Sequence, residues 1–115
     1  MNPVRIDVKP LSVNEAWQGR RYKTDKYECY ERKMLWLLPR IKLPEPPFQV
    51  YYEYGFSNKR SDYDNPTKMF QDILQKKYKF NDDDIYLATI RKVVVKKGCE
   101  YVKFSIEHFE GDTTE

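Results

Sequence analysis

Asp62-Tyr63-Asp64-Asn65-Pro66-Thr67-Lys68-Met69-Phe70-Gln71-Asp72-Ile73-Leu74 is the stretch at which the hydrophobic period of this chain changes. Upstream, Phe48, Val50, Tyr52 and Tyr54 alternate with Gln49, Tyr51 and Glu53, the two-residue period of a strand that Gly55 ends or bulges. Within the stretch, Met69, Phe70, Ile73 and Leu74 recur at the three-and-four spacing of one helical face, with Lys68, Asp72, Gln75 and Lys76 opposite. Asp64 or Asn65 stands where a helix cap is needed, and Pro66 falls in the first turn, where its missing N–H does little harm.

Working outward, Val4, Ile6 and Val8 alternate as a half-buried strand that Pro10 ends or confines to an edge. After residues 11–17 comes a basic loop, Gly19-Arg20-Arg21-Tyr22-Lys23, suited to phosphate contact. Thr24 or Asp25 caps a helix whose apolar side is Tyr27, Tyr30, Met34, Leu37 and Leu38, and Pro39 closes it. Pro44, Pro46 and Pro47 make a short stiff connector into the strand at 48. Beyond residue 80, Asn81-Asp82-Asp83-Asp84 precedes two strands, 85–95 and 101–109, expected to form a hairpin around Lys97-Gly98. The order strand, helix, strand, helix, strand, strand implies an α+β domain, a mixed sheet of about four strands with two main helices packed against it. Residues 1–110 form this domain and residues 111–115 a flexible tail.

The chain's 115 residues suffice for one domain with its own core. A net charge of +3 is too small to argue by itself for a nucleic-acid partner, so the placement of charge has to decide. Cys29, Cys99 and His108 lack ligand-like spacing, which argues against a zinc site or a disulfide framework. Neither a secretory leader nor a membrane-spanning run is visible, and the cytoplasm is the expected compartment.

Two acidic groups carry the chemistry. Asp62 and Asp64, two residues apart in extended chain, can point the same way, and Asp82 to Asp84 open the next strand. If the intervening helix packs back on the sheet, both groups are expected to meet at one end of it. Several ionised carboxylates in one cleft repel one another unless a cation joins them. Magnesium suits such a cleft, since it takes hard oxygen ligands and bridges carboxylates to phosphate, with manganese as a substitute. Lys68, one turn into the helix, can hold the phosphate or the developing negative charge. Taken singly, an Asp before a helix is more often a cap, and an acidic triplet at a turn a solvated loop.

The segment 62–68, followed by Asp72 and then Asn81-Asp82-Asp83-Asp84-Ile85, resembles the signature of the RusA family of crossover-junction endonucleases. In that signature Asp-x-Asp-Asn-x-x-Lys opens a helix, an Asp recurs one turn later, and Asp-Asp-x-x-Ile/Val follows. Pro10-Leu11-Ser12-Val13-Asn14 and the basic-aromatic stretch after it resemble the family more weakly. The resemblance implies a magnesium-dependent Holliday-junction resolvase, acting on branched DNA in recombination and repair as a homodimer that makes paired nicks, of phage or prophage type. It implies Asp62, Asp64 and Asp82 as metal-binding acids and Lys68 as the catalytic lysine. Asn81 stands where the family has the first Asp of its pair, so Asp83 remains the register alternative to Asp82. Asp72 matches a recurring helical acid, whose plainer role is pairing with Lys68 or Lys76 at helical spacing.

Basic residues surround these acids in sequence: Arg20, Arg21 and Lys23; Lys59 and Arg60; Lys76, Lys77 and Lys79; Arg91 and Lys92. A ring of cations around acids is what a phosphodiester substrate requires, although each Lys alone is more simply a solubilising residue. Tyr78, Phe80 and Trp36 are expected in the core. Two other classes of function stay open: a catalytically silent branched-DNA-binding protein, and an interaction protein with a calcium-binding acidic loop, which the lack of a central Gly disfavours.

Overall fold

The computed structural model describes residues 1–18 and 22–111. Strand β1 (Val4–Ile6), helix α1 (Val13–Ala16), strands β2 (Trp17–Gln18) and β3 (Tyr22–Lys23) and helix α2 (Asp25–Leu37) come first. Strand β4 (Phe48–Phe56), helix α3 (Thr67–Tyr78), a 3-10 turn (Asp82–Asp84), β5 (Ile85–Val94) and β6 (Tyr101–His108) follow. The fold is α+β: a mixed four-stranded sheet in the order β1-β6-β4-β5, with β2 and β3 forming a separate ribbon. The short α1, the β2–β3 ribbon and the 3-10 turn add to the elements read from the hydrophobic periods.

β4 is the centre of the sheet because its alternation buries one complete face. Phe48, Val50, Tyr52, Tyr54 and Phe56 are buried, beside Val102, Phe104 and Ile106 of β6 and Ile6 of β1. α3 lays Met69, Phe70, Ile73 and Leu74 on this face, all at 0% exposure, so the helical stripe is the core stripe. The Phe70 ring meets Tyr52 and Phe104 edge-on, with centroids 5.6 Å apart in both pairs. Two tyrosines so deep in the core need partners for their hydroxyls. Tyr52 donates to Gln71 Oε1 at 2.9 Å, and Tyr54 donates to Thr67 Oγ1 at 3.1 Å.

α2 docks through Tyr27, Tyr30 and Met34, with Leu38 buried just beyond it. Thr24 caps it, accepting from the Tyr27 N–H at 3.2 Å while its own hydroxyl donates to the Glu15 carbonyl at 2.5 Å. Leu37, expected on the buried side, is 43% exposed, and Trp36, also expected in the core, is 85% exposed. Trp36 follows from helix geometry: at ~100° per residue, Met34 and Leu38 occupy the buried side and Trp36 lies ~200° round from Met34, while Leu37, ~60° from Met34 at the helix end, falls at the margin of that side.

The expected hairpin of β5 and β6 is replaced by a different pairing. β4 lies between them, parallel to β5 from Phe48↔Ile85 to Phe56↔Val94 and antiparallel to β6. Gly98, at φ 92, does make the turn, and the Cys99 N–H closes it on the Lys96 carbonyl at 2.9 Å. That turn is local, whereas strand partners are chosen by burial. Residues 95–100 are long enough to cross the ~10 Å of two strand spacings, so β5 and β6 can each flank the most buried strand. Gly111 is the last residue described at this end; residues 112–115 of the expected tail lie outside the described residues.

Candidate active site

β4 ends at Phe56, and a tight loop carries the chain over the sheet edge to α3. The Asn58 side-chain oxygen accepts from the backbone N–H groups of Arg60 and Ser61, both at 2.9 Å. Two further turns follow: Asn65 N–H donates to the Asp62 carbonyl at 3.3 Å, and Thr67 N–H to the Asp64 carbonyl at 3.0 Å. Pro66 has no N–H to continue a helical ladder, so the ladder begins with the Phe70 N–H donating to the Pro66 carbonyl at 3.2 Å. The helix therefore starts at Thr67 with Pro66 as its cap residue, which corrects the expected capping by Asp64 or Asn65. The side chains of Asp62 and Asp64 are released from capping. Both are exposed, as is Lys68 in the first turn of α3.

Five carboxylates among the described residues, Asp7, Glu15, Glu31, Glu53 and Glu107, stand in ion pairs. Asp7 pairs with Arg5 at 2.9 Å, Glu15 with Lys26 at 3.0 Å, and Glu31 with Lys23 at 2.9 Å and Lys76 at 3.0 Å. None of the ion pairs among the described residues involves Asp62, Asp64 or Lys68. Two solvated carboxylates beside the positive end of a helix, with a lysine one turn in, form a unit able to take a hard cation and a phosphate oxygen. Magnesium commonly takes one or two protein carboxylates and completes its shell with water and phosphate, so Asp62 and Asp64 fit that share.

The expected meeting of the two acidic groups does not occur within the chain. β4 and β5 run parallel, so the chain leaves β4 at one end of the sheet and must return to the other end before β5 begins. α3 makes that return over ~18 Å. Asp62 and Asp64 stand before it, and the 3-10 turn with Asp82 and Asp83 stands after it, beside the start of β4 at Phe48. The turn is held there by the Asp82 N–H donating to Gln75 Oε1 at 3.0 Å and by Asn81 accepting from the Asp83 N–H at 3.0 Å. Among the described residues, no group of three or more His, Cys, Asp or Glu is placed to hold a metal ion. A three-acid site within the single chain therefore does not fit. Asp82 and Asp83 are both exposed, and their local geometry does not separate them as alternatives.

Asp72 is half-buried and accepts from Gln75 Nε2 at 3.4 Å, while Lys76 is engaged by Glu31. The basic residues divide between the two ends of the sheet. Lys59 and Arg60 are exposed in the loop that leads to Asp62, and Lys92 Nζ donates to the Lys59 carbonyl at 2.7 Å. Lys76, Lys77 and Lys79 belong to the opposite end, with Lys77 Nζ donating to the Leu35 carbonyl at 3.1 Å and Lys79 in the left-handed region at φ 59. Lys23 is half-buried over the Tyr27 ring, its charge committed to Glu31. Arg20 and Arg21 lie outside the described residues. Tyr78 and Phe80 pack against the core as expected.

A feature missed from sequence is the polar cluster on the sheet face turned away from α2 and α3. Glu53, 7% exposed, accepts hydrogen bonds from the hydroxyls of Tyr51 and Tyr101 and stands 3.9 Å from Arg91. The alternation of β4 placed Glu53 on the outward face, but its burial depends on Tyr101 arriving from β6 opposite Gly55. Among the described residues, no helix is long and apolar enough to cross a membrane. No family model matches the chain, and no curated protein matches it.

Proposed function

We propose that the chain is a magnesium-dependent endonuclease of the RusA type that nicks branched DNA, a four-way junction above all, as a symmetric homodimer in the cytoplasm. The observation that carries this reading is the placement of Asp62, Asp64 and Lys68 at the mouth of α3, all three exposed and outside the ion pairs among the described residues. Magnesium, with manganese as substitute, would supply Lewis acidity and an activated water when bound. Asp62 and Asp64 would hold it, and Lys68 would bind the non-bridging phosphate oxygens and stabilise their growing charge. Lys59 and Arg60 at the same end would bind flanking phosphates.

Asp82, or Asp83 in its place, enters this reading from a second subunit. Asp62, Asp64, Asp82 and Asp83 are all exposed, and a two-fold axis perpendicular to the strands would set like elements antiparallel across it, so that the start of β5 in one copy could approach the end of β4 in the other. Such a dimer would carry two equivalent sites for two strands of a two-fold symmetric junction, as paired nicking requires.

The separation of Asp82 from Asp62 and Asp64 favours one second reading, a DNA-binding protein without cleavage. Incubating a synthetic four-way junction and magnesium with the native chain and with Asp64→Asn decides between the two. Paired nicks by the native chain, and binding without nicks by the variant, are expected. A native chain that bound junctions tightly yet never cut with magnesium or manganese would leave the silent binder standing.

A further inference from the structure

We propose that the outward face of α2, centred on Trp36, is a second DNA contact whose indole stacks on an unpaired base of a branched substrate. This rests on branched DNA being the substrate, and it adds a contact the acidic motif does not contain.

Trp36 is 85% exposed although both neighbours on the inner side, Met34 and Leu38, are buried at 0% and 3%. Its ring therefore does no packing for the fold. Arg32 and Lys33 precede it by four and three residues, which places them on the same helical face, and Arg40 follows beyond the helix end. All three cations are exposed, and none takes part in the ion pairs among the described residues. With Cys29 and Leu35, Arg32 and Lys33 line an open hollow against the indole.

The cationic surround continues across to α3. The two helices meet through Lys76 and Glu31 at 3.0 Å, Lys77 and the Leu35 carbonyl at 3.1 Å, and the Tyr78 hydroxyl and the Pro39 carbonyl at 2.7 Å. Lys77 thus stands beside the Trp36 turn. A flat π surface framed by unpaired cations complements a base flanked by phosphates, and stacking of this kind is available only where a base is not already paired. Cys29 and Leu35 supply apolar contact for the face of a base, and Arg32 and Lys33 supply the charge that its flanking phosphates need. A membrane-surface helix would present a broad apolar face, whereas that of α2 is already spent on the core.

Trp36→Ala and Trp36→Phe, titrated against a four-way junction, a fully paired duplex of equal length and vesicles of mixed neutral and anionic lipid, test this. The expected result is roughly tenfold or greater weakening of junction binding by Trp36→Ala, less than about twofold weakening on duplex, and partial retention by Trp36→Phe. Native indole emission should be quenched by the junction, and that quench should vanish in Trp36→Phe, which leaves Trp17 as the remaining indole. Unfolding midpoints of the variants should match the native one, since the ring is outside the core. Junction binding unchanged in Trp36→Ala, equal loss on junction and duplex, or quenching by vesicles alone would overturn the proposal. If the native chain nicks junctions and Trp36→Ala binds them as tightly, this contact fails and the endonuclease reading survives; if the native chain binds no DNA, both fail.

Discussion

The backbone N–H of Asp82 donates to the Gln75 side-chain oxygen at 3.0 Å, which fastens the acidic 3-10 turn to the far end of α3 from Asp64. Within one chain these acids are a helix apart, so in the proposed dimer a site that uses both is shared between subunits. Asp64→Asn and Asp82→Asn should each abolish nicking alone. Unfolded together and refolded, they should regain roughly a quarter of native single-strand nicking, because half the dimers are mixed and each mixed dimer keeps one intact site. A mixture as inactive as its components would rule out the shared site. Asp83→Asn in the same experiment decides the register.

Tyr101 lies directly over Gly55. A Cβ built at Gly55 would stand 2.4 Å from two ring carbons, and the ring is 5% exposed with its hydroxyl held by Glu53. Gly55→Ala must therefore push the ring off the sheet and disturb the bond to Glu53. A loss of about 1–3 kcal/mol is expected in urea unfolding. The double variant with Tyr101→Ala, in which the ring is absent, should lose less than the sum of the two single changes.

Glu53 makes stability depend on pH. Burial by itself raises its pKa, but the hydrogen bonds from Tyr101 and Tyr51 and the charges of Lys103 and Arg91 outweigh burial and hold it below the ordinary range. The Tyr101 phenol is pushed up to about 12 by burial and by this carboxylate, so it remains a donor throughout the acidic and neutral range. A carboxyl depressed in the folded state contributes stability above its unfolded value of about 4.3 and loses it as pH falls through the folded value. Urea unfolding from about pH 6 to pH 3 should show the native chain losing more stability than Glu53→Gln, with the two curves converging at the acid end. Parallel curves would refute this assignment.

Thr24 joins α1 to α2 with one hydroxyl, accepting from Tyr27 N–H and donating to the Glu15 carbonyl. Thr24→Ala removes both bonds and should cost about 1–2 kcal/mol of unfolding free energy in urea titration, and Thr24→Ser should recover most of it.

Local periodicity was readable without the fold. The alternation of β4 from Phe48 to Tyr54 and the α3 stripe of Met69, Phe70, Ile73 and Leu74 follow from side-chain direction repeating with backbone geometry, and Thr24 was one of the two cap candidates, whereas β4 runs on through Gly55, where an end or bulge was expected, to Phe56. The turns at Asp62 and Asp64 were not readable in that way: extended chain and a cap at Asp64 or Asn65 were expected, whereas successive turns form because Pro66 cannot donate to a helical ladder. Strand partners were not readable, because pairing depends on which edges remain free once the most buried strand is flanked, and that is a property of the assembled sheet. The placement of β5 parallel to β4 was one such outcome, and it alone decided that Asp82 and Asp64 occupy opposite ends. The exposure of Trp36 was a second: its hydrophobicity argued for the core, but Met34 and Leu38 already filled the face that the sheet could cover.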